Sequence, residues 1–154
     1  MDKESLIRSL NDHRVDYVII GATAFPIHGY ARATLDVDIF IRPTKENARR
    51  TLGALGAFGY RVTDELSVDD LVTKKILIRQ CVVELDVHPF VAGVDFDQVW
   101  RNRVAGKFGG TPCSYAALPD LIAMKTAAGR PKDLEDLKML KLLAQRQTEP
   151  SAPE

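Results

Sequence analysis

The chain has 154 residues, enough for one domain with a single buried core and a squeeze for two. With 45% hydrophobic and 27% charged residues, and no apolar run longer than a strand, the composition excludes a disordered or membrane-spanning protein. Lys plus Arg and Asp plus Glu both number 21, so net charge draws the molecule to no nucleic acid, and the charged start Met1-Asp2-Lys3-Glu4 lacks the apolar stretch of a secretory signal, which points to the cytoplasm.

Leu6, Ile7 and Leu10 give residues 3–13 the stripe of a packing helix. Tyr17-Val18-Ile19-Ile20 is a short apolar run, rich in β-branched residues and bounded by Gly21, and reads as a buried strand. At Gly21-Ala22-Thr23 the chain turns, and the spacing predicts a helix over 22–28 stopped by Gly29, with outward N–H groups at its start that suit a phosphate. A second strand over 35–42 should lie beside the first. Pro43-Thr44 offers a cap to a helix over 45–57, with Asn47 where a Glu usually stands.

Arg61-Val62 reads as a short extended segment and 64–70 as a polar loop. Residues 74–79 and 80–88 read as an antiparallel pair or one bent strand, followed by a helix over 95–104 with Phe96, Val99 and Trp100 as its core side. Gly109-Gly110 suggests a hairpin over 107–115. Helices over 118–128 and 131–147 follow, the second opened by Pro131, and 148–154 reads as a disordered tail. The expected architecture is α/β, a mixed sheet flanked by helices, in a single domain over 1–147. Cys81 and Cys113 read as small core residues rather than a disulfide. Two basic groups, Arg42, Lys45, Arg49 and Arg50, then Arg101, Arg103 and Lys107, read as solvated surface, with a local nucleic-acid contact as the alternative.

The chemistry concentrates in Leu35-Asp36-Val37-Asp38-Ile39-Phe40-Ile41. In an extended strand Asp36 and Asp38 project to one face and Val37, Ile39 and Ile41 to the other. Two like charges side by side call for a positive neutraliser, and for hard oxygen donors beside open space that is Mg²⁺. Solvent-facing acids are the alternative, although Asp is depleted in strands. Asp86 adds a third carboxylate from a later strand, with Glu84 on the same face as an alternative ligand. His88 shares that face and has at most a minor role there, and His28 reads as structural.

The run Gly21-Ala22-Thr23…Gly29-Tyr30-Ala31-Arg32-Ala33-Thr34-Leu35-Asp36-Val37-Asp38 resembles the polymerase-β type of nucleotidyltransferase superfamily. Together with Lys125…Gly129-Arg130-Pro131-Lys132-Asp133-Leu134-Glu135-Asp136-Leu137, it is similar to the small AbiEii-like nucleotidyltransferases, some of them toxins of toxin–antitoxin pairs. The resemblance spans roughly residues 17–140 and implies transfer of a nucleoside monophosphate from an NTP to an acceptor hydroxyl. It implies Asp36, Asp38 and Asp86 as Mg²⁺ ligands, with Asp86 a candidate base. Phosphate contacts would come from Gly21 and the amide of Ala22 or Thr23, position 22 being Ala where the family more often has Gly or Ser. Arg32, Lys125 and Arg130 would serve the nucleotide, with Asp133 orienting Lys125 or Arg130. The acceptor, whether RNA, protein or a small antibiotic-like molecule, the presence of an antitoxin, and turnover as opposed to mere nucleotide binding are left open by the residues.

Overall fold

Tyr17 to Ile20 are all buried, the signature of a strand covered on both faces, and in the computed structural model this strand lies inside a sheet. The structure describes residues 2–34, 36–62, 65–80 and 83–148. Leu35, Asp64, Cys81 and residues 149–154 lie outside these, and with them the expected first residue of the second strand, the start of the polar loop, the placement of Cys81 and the tail.

The elements run α1 (Lys3–Asp12), β1 (Tyr17–Ile20), β2 (Asp36–Ile41), α2 (Lys45–Phe58), α3 (Val68–Thr73), β3 (Ile76–Ile78), β4 (Glu84–His88), α4 (Phe96–Asn102), β5 (Val104–Phe108), β6 (Thr111–Tyr115), α5 (Leu118–Ala128) and α6 (Leu134–Thr148). The strands form a mixed six-stranded sheet in the order β3-β4-β2-β1-β6-β5, flanked by helices. β1 pairs antiparallel with β2 and parallel with β6, while β2 pairs parallel with β4. The apolar side of β2, Val37, Ile39 and Ile41, is fully buried. On its other side Phe40 meets Phe96 of α4 edge-on, with ring centroids 5.3 Å apart. Past Phe40, toward the start of the strand, that face opens at Asp38 and Asp36, which are half-buried.

Several expected elements take a different form. The helix over 22–28 is instead two short 3₁₀ turns, Gly21–Ala24 and Pro26–His28. Pro26 has no N–H to give the Ala22 carbonyl, and the Phe25 N–H takes that acceptor at 3.3 Å. The polar loop contains α3, started by a capping box in which the Ser67 hydroxyl accepts from the Asp70 N–H at 3.1 Å and the Asp70 carboxylate accepts from the Ser67 N–H at 2.9 Å. The helix over 95–104 stops at Asn102, because Val104 is already paired with Tyr115. A 3₁₀ turn over Pro131–Asp133 precedes α6, and Arg61 and Val62 join no strand. Trp100 is half-buried rather than core, stacked on Phe96 with Arg103 over its outer face. Cys113 is a free, half-buried thiol in β6.

Of the basic residues after β2, Arg42 serves the fold. Arg42 donates to Asp16 at 2.9 Å and Asp97 at 3.0 Å, and its guanidinium lies over the Phe96 ring. Beneath it the Asn47 side chain, 2% exposed, accepts from the Asp16 N–H and donates to the Asp16 and Arg42 carbonyls. Asn47 thus ties the start of α2 to the ends of β1 and β2, while its own N–H donates to the Thr44 cap. Replacing Asn47 with Ala leaves those backbone groups without partners in a buried place, and urea unfolding should show a loss of about 2 kcal/mol with the m-value unchanged.

Candidate active site

The parallel register of β2 and β4 sets Asp36 opposite Glu84 and Asp38 opposite Asp86. Ile20 of β1 is opposite Asp38, and Leu77 of β3 is opposite Asp86. A row across four strands therefore reads Leu77, Asp86, Asp38, Ile20, a carboxylate pair between two apolar side chains. All four line one cleft of about 500 Å³. The chain leaves the row at Gly21, whose φ of +66° belongs to the left-handed region. A Cβ there would lie 2.8 Å from Asp38 Oδ2, so glycine is what allows the turn to sit against this carboxylate. Ala22 follows in the cleft wall. Thr23 is buried and its hydroxyl donates to the Asp36 carbonyl at 3.0 Å, which leaves its backbone rather than its side chain for the turn.

The acids are crowded and each has a partner. Arg79, just beyond β3, donates from Nη1 to Asp86 Oδ1 at 2.7 Å and from Nη2 to Asp36 Oδ2 at 3.4 Å, and its Nε lies 3.7 Å from Glu84. These contacts, the Asp86 bond first, raise the guanidinium pKa further above its already high value. His88 Nε2 lies 2.9 Å from Asp38 Oδ1. Glu84 has its pKa raised, first by its hydrogen bond with Asp36 and then by burial.

At the opposite wall, α5 and the start of α6 bring two buried acids among three cations. Lys125 Nζ donates to Asp133 Oδ1 at 2.9 Å and lies 3.3 Å from Asp136 Oδ2. Arg130 grips Asp133 through Nε at 2.7 Å and Nη2 at 3.1 Å. Asp136 also accepts from Arg32 and from the Tyr30 hydroxyl. The Arg130 contact, then that of Lys125, holds the Asp133 carboxyl well below the usual carboxylate range. Glycine again makes this corner possible: α5 ends at Gly129 with a φ of +59°, turning the chain into the Arg130–Asp133 segment.

The fold thus brings Gly21, Ala22, Arg32, Asp36, Asp38, Asp86, Lys125, Arg130 and Asp133 to one cleft, with Thr23 behind its wall. Arg79, His88 and Asp136 join them unannounced or underrated by sequence. Of these, the sequence pointed only to His88, through its two-residue step from Asp86. His28 is structural, donating to the Ala116 carbonyl at 2.8 Å. Asp38, Asp86 and His88 offer ligand atoms within 4.8 Å of one another. With Asp36 alongside, the donor set is mainly hard carboxylate oxygen facing a cleft, which fits a divalent cation of the Mg²⁺ kind.

Comparison with known proteins bears on what such a cleft does. A family model described as "Nucleotidyltransferase of unknown function (DUF6036)" matches residues 2–149. The chain belongs to this nucleotidyltransferase family. Its fold is similar to that in the crystal structure of ANT(2'')-Ia in complex with adenylyl-2''-tobramycin, at a TM-score of 0.59 and 14% identity, covering 93% of this chain and 86% of that one. No curated protein sequence matches this nucleotidyltransferase.

Two variants test the site's construction. Gly21→Ala combines a strained φ with a collision against Asp38, and should cost about 1–2 kcal/mol in thermal or urea unfolding while displacing the carboxylate. Asp133 has a folded pKa below its ordinary 3.8, so its stabilisation is complete above that pH and is lost as pH falls below it. Asp133→Asn, which leaves Lys125 and Arg130 underneutralised, should lose about 3 kcal/mol at pH 7, and its stability should fall less steeply than that of the wild type between about pH 4 and about pH 2.

Proposed function

We propose that this nucleotidyltransferase moves a nucleoside monophosphate from an NTP to an acceptor hydroxyl within the cleft of Asp36, Asp38 and Asp86, releasing pyrophosphate. The observation that carries the reading is the opposition of Asp38 and Asp86 on parallel strands, with the Gly21 turn pressed against Asp38. Family membership supports the reaction class. The acceptor oxygen forms a bond to the α-phosphorus, the bridging P–O bond to the β-phosphate breaks, and the hydroxyl proton passes to a carboxylate, for which Asp86 is the candidate. Mg²⁺ held by Asp36, Asp38 and Asp86 would supply positive charge against the phosphates.

The chain's own groups do the remaining work. Backbone N–H groups of the Gly21–Ala24 turn would donate to phosphate oxygens beside the carboxylates. Lys125, Arg130 and Arg32 face the same space, and because Asp133 and Asp136 already hold them, little reorganisation is needed when charge builds on the leaving pyrophosphate. Lys75 and Lys132 line the cleft with no ion-pair partner among the described residues and add positive charge toward a phosphate-bearing ligand.

Incubation with NTPs labelled at the α-phosphate and a panel of RNA, protein and small-molecule acceptors should transfer label with the wild type, and at least about 100-fold less with Asp38→Ala. Equal transfer by both would remove the site. The toxin role implied by the AbiEii-like resemblance requires in addition that expression of the wild type, and not of Asp38→Ala, arrests growth and that a co-expressed partner relieves it.

A further inference from the structure

We infer that Arg79 is an exchangeable counter-ion of the carboxylate cluster, which cedes Asp86 and Asp36 to a divalent cation and then binds a phosphate oxygen of the NTP. The inference rests on the proposed metal and nucleotide site and concerns a residue to which the family resemblance gives no role.

The geometry is that of a stand-in cation. One guanidinium touches Asp86, Asp36 and Glu84, which come from two strands, and its shortest bond goes to the buried Asp86. A charge at that depth needs a partner in the resting protein, and Arg79 is the cation at hand for Asp86. The other member of the facing pair, Asp38, has His88. A divalent cation taking Asp86 would meet a resident positive charge, so its binding and the Arg79–Asp86 bond oppose each other.

Arg79 is also built to leave. Its side chain is 42% exposed against 9% for Asp86, and it lies outside the ladder, one residue past β3. Leu77, on the cleft-facing side of β3, and Lys75 before it line the same wall. A guanidinium released there stays in the cleft among groups facing the substrate, and its planar fork suits phosphate oxygens.

The test is binding of Mn²⁺ by electron paramagnetic resonance, without nucleotide, to the wild type, Arg79→Gln, Arg79→Lys and Asp38→Asn. Binding of α,β-methylene analogues of the four NTPs is then measured in saturating Mn²⁺. Arg79→Gln should bind Mn²⁺ roughly tenfold more tightly than the wild type, the scale of one unit charge beside a divalent cation in a half-exposed site. It should also bind the preferred analogue roughly fivefold to tenfold more weakly, with Arg79→Lys between the two. A purely structural Arg79 would not move the two affinities in opposite directions. Should Arg79→Gln be too unstable for titration, the Mn²⁺-induced rise in its melting temperature is compared with that of the wild type and should be larger. Mn²⁺ affinity equal to or below that of the wild type, or unchanged analogue affinity, overturns the inference and leaves the metal site intact. Failure of both the wild type and Arg79→Gln to bind Mn²⁺ in a manner lost in Asp38→Asn overturns both.

Discussion

Asp38 and Asp86 stand opposite each other because β2 and β4 pair in parallel and in that register, and most features of the cleft answer the charge this concentrates. A one-residue slip of either strand would turn its acids into the apolar layer that holds Val37, Ile39, Leu85 and Val87. The hydrophobic pattern therefore fixes the carboxylates as firmly as it fixes the core. Arg79 neutralises Asp86 in the resting state, His88 contacts Asp38, and Gly21 lets the backbone approach where any side chain would strike Asp38.

The other wall solves the inverse problem. Here three cations, Arg32, Lys125 and Arg130, converge on two buried acids, Asp133 and Asp136. The excess of one positive charge faces a carboxylate cluster across a cleft about 500 Å³ in volume. A polyphosphate with its metal is complementary to both walls, whereas a neutral or purely cationic ligand suits only one. Tyr30 and Arg32 reach Asp136 from the segment between the Gly21 turn and β2, so the cationic wall is tied to the same stretch that carries Asp36 and Asp38. Mutating either wall should be felt at the other.

Much of this was legible in the chain because local rules acted alone. The continuous apolar run of β1, the alternation around Asp36 and Asp38, and the proline and glycine boundaries of α5 each follow from a few neighbouring residues. The 22–28 segment was misread as a helix because its outward pattern is helical while Pro26 removes the hydrogen bond that an α-helix needs there. Helix α3 escaped notice because six residues with one fully buried side chain leave no period to detect, and its capping box uses Asp in place of Glu. Arg79 was illegible for a different reason: it follows a three-residue strand, and its three acids are brought together only by the β2–β4–β3 order. Asp136 looks like an ordinary acid in the first turn of α6 until α5 and the Tyr30–Arg32 segment close over it.

Braced and exposed groups are divided between the two walls and their margin. The carboxylates sit on strands within the sheet, the glycine turn follows directly on β1, and the cations Lys125 and Arg130 are braced by buried acids, while Arg79, Lys75 and Lys132 remain at the exposed margin. On the proposed function, substrate phosphates and metal are both held between these two walls. This is tested most directly by a crystal structure of the protein with Mn²⁺ and a non-hydrolysable NTP analogue, with anomalous scattering locating the metal. The expected result is an anomalous peak bound by Asp38 and Asp86, with the phosphates at the Gly21 turn and facing Lys125. Mn²⁺ bound away from that carboxylate pair, or nucleotide seated in another groove, would contradict it.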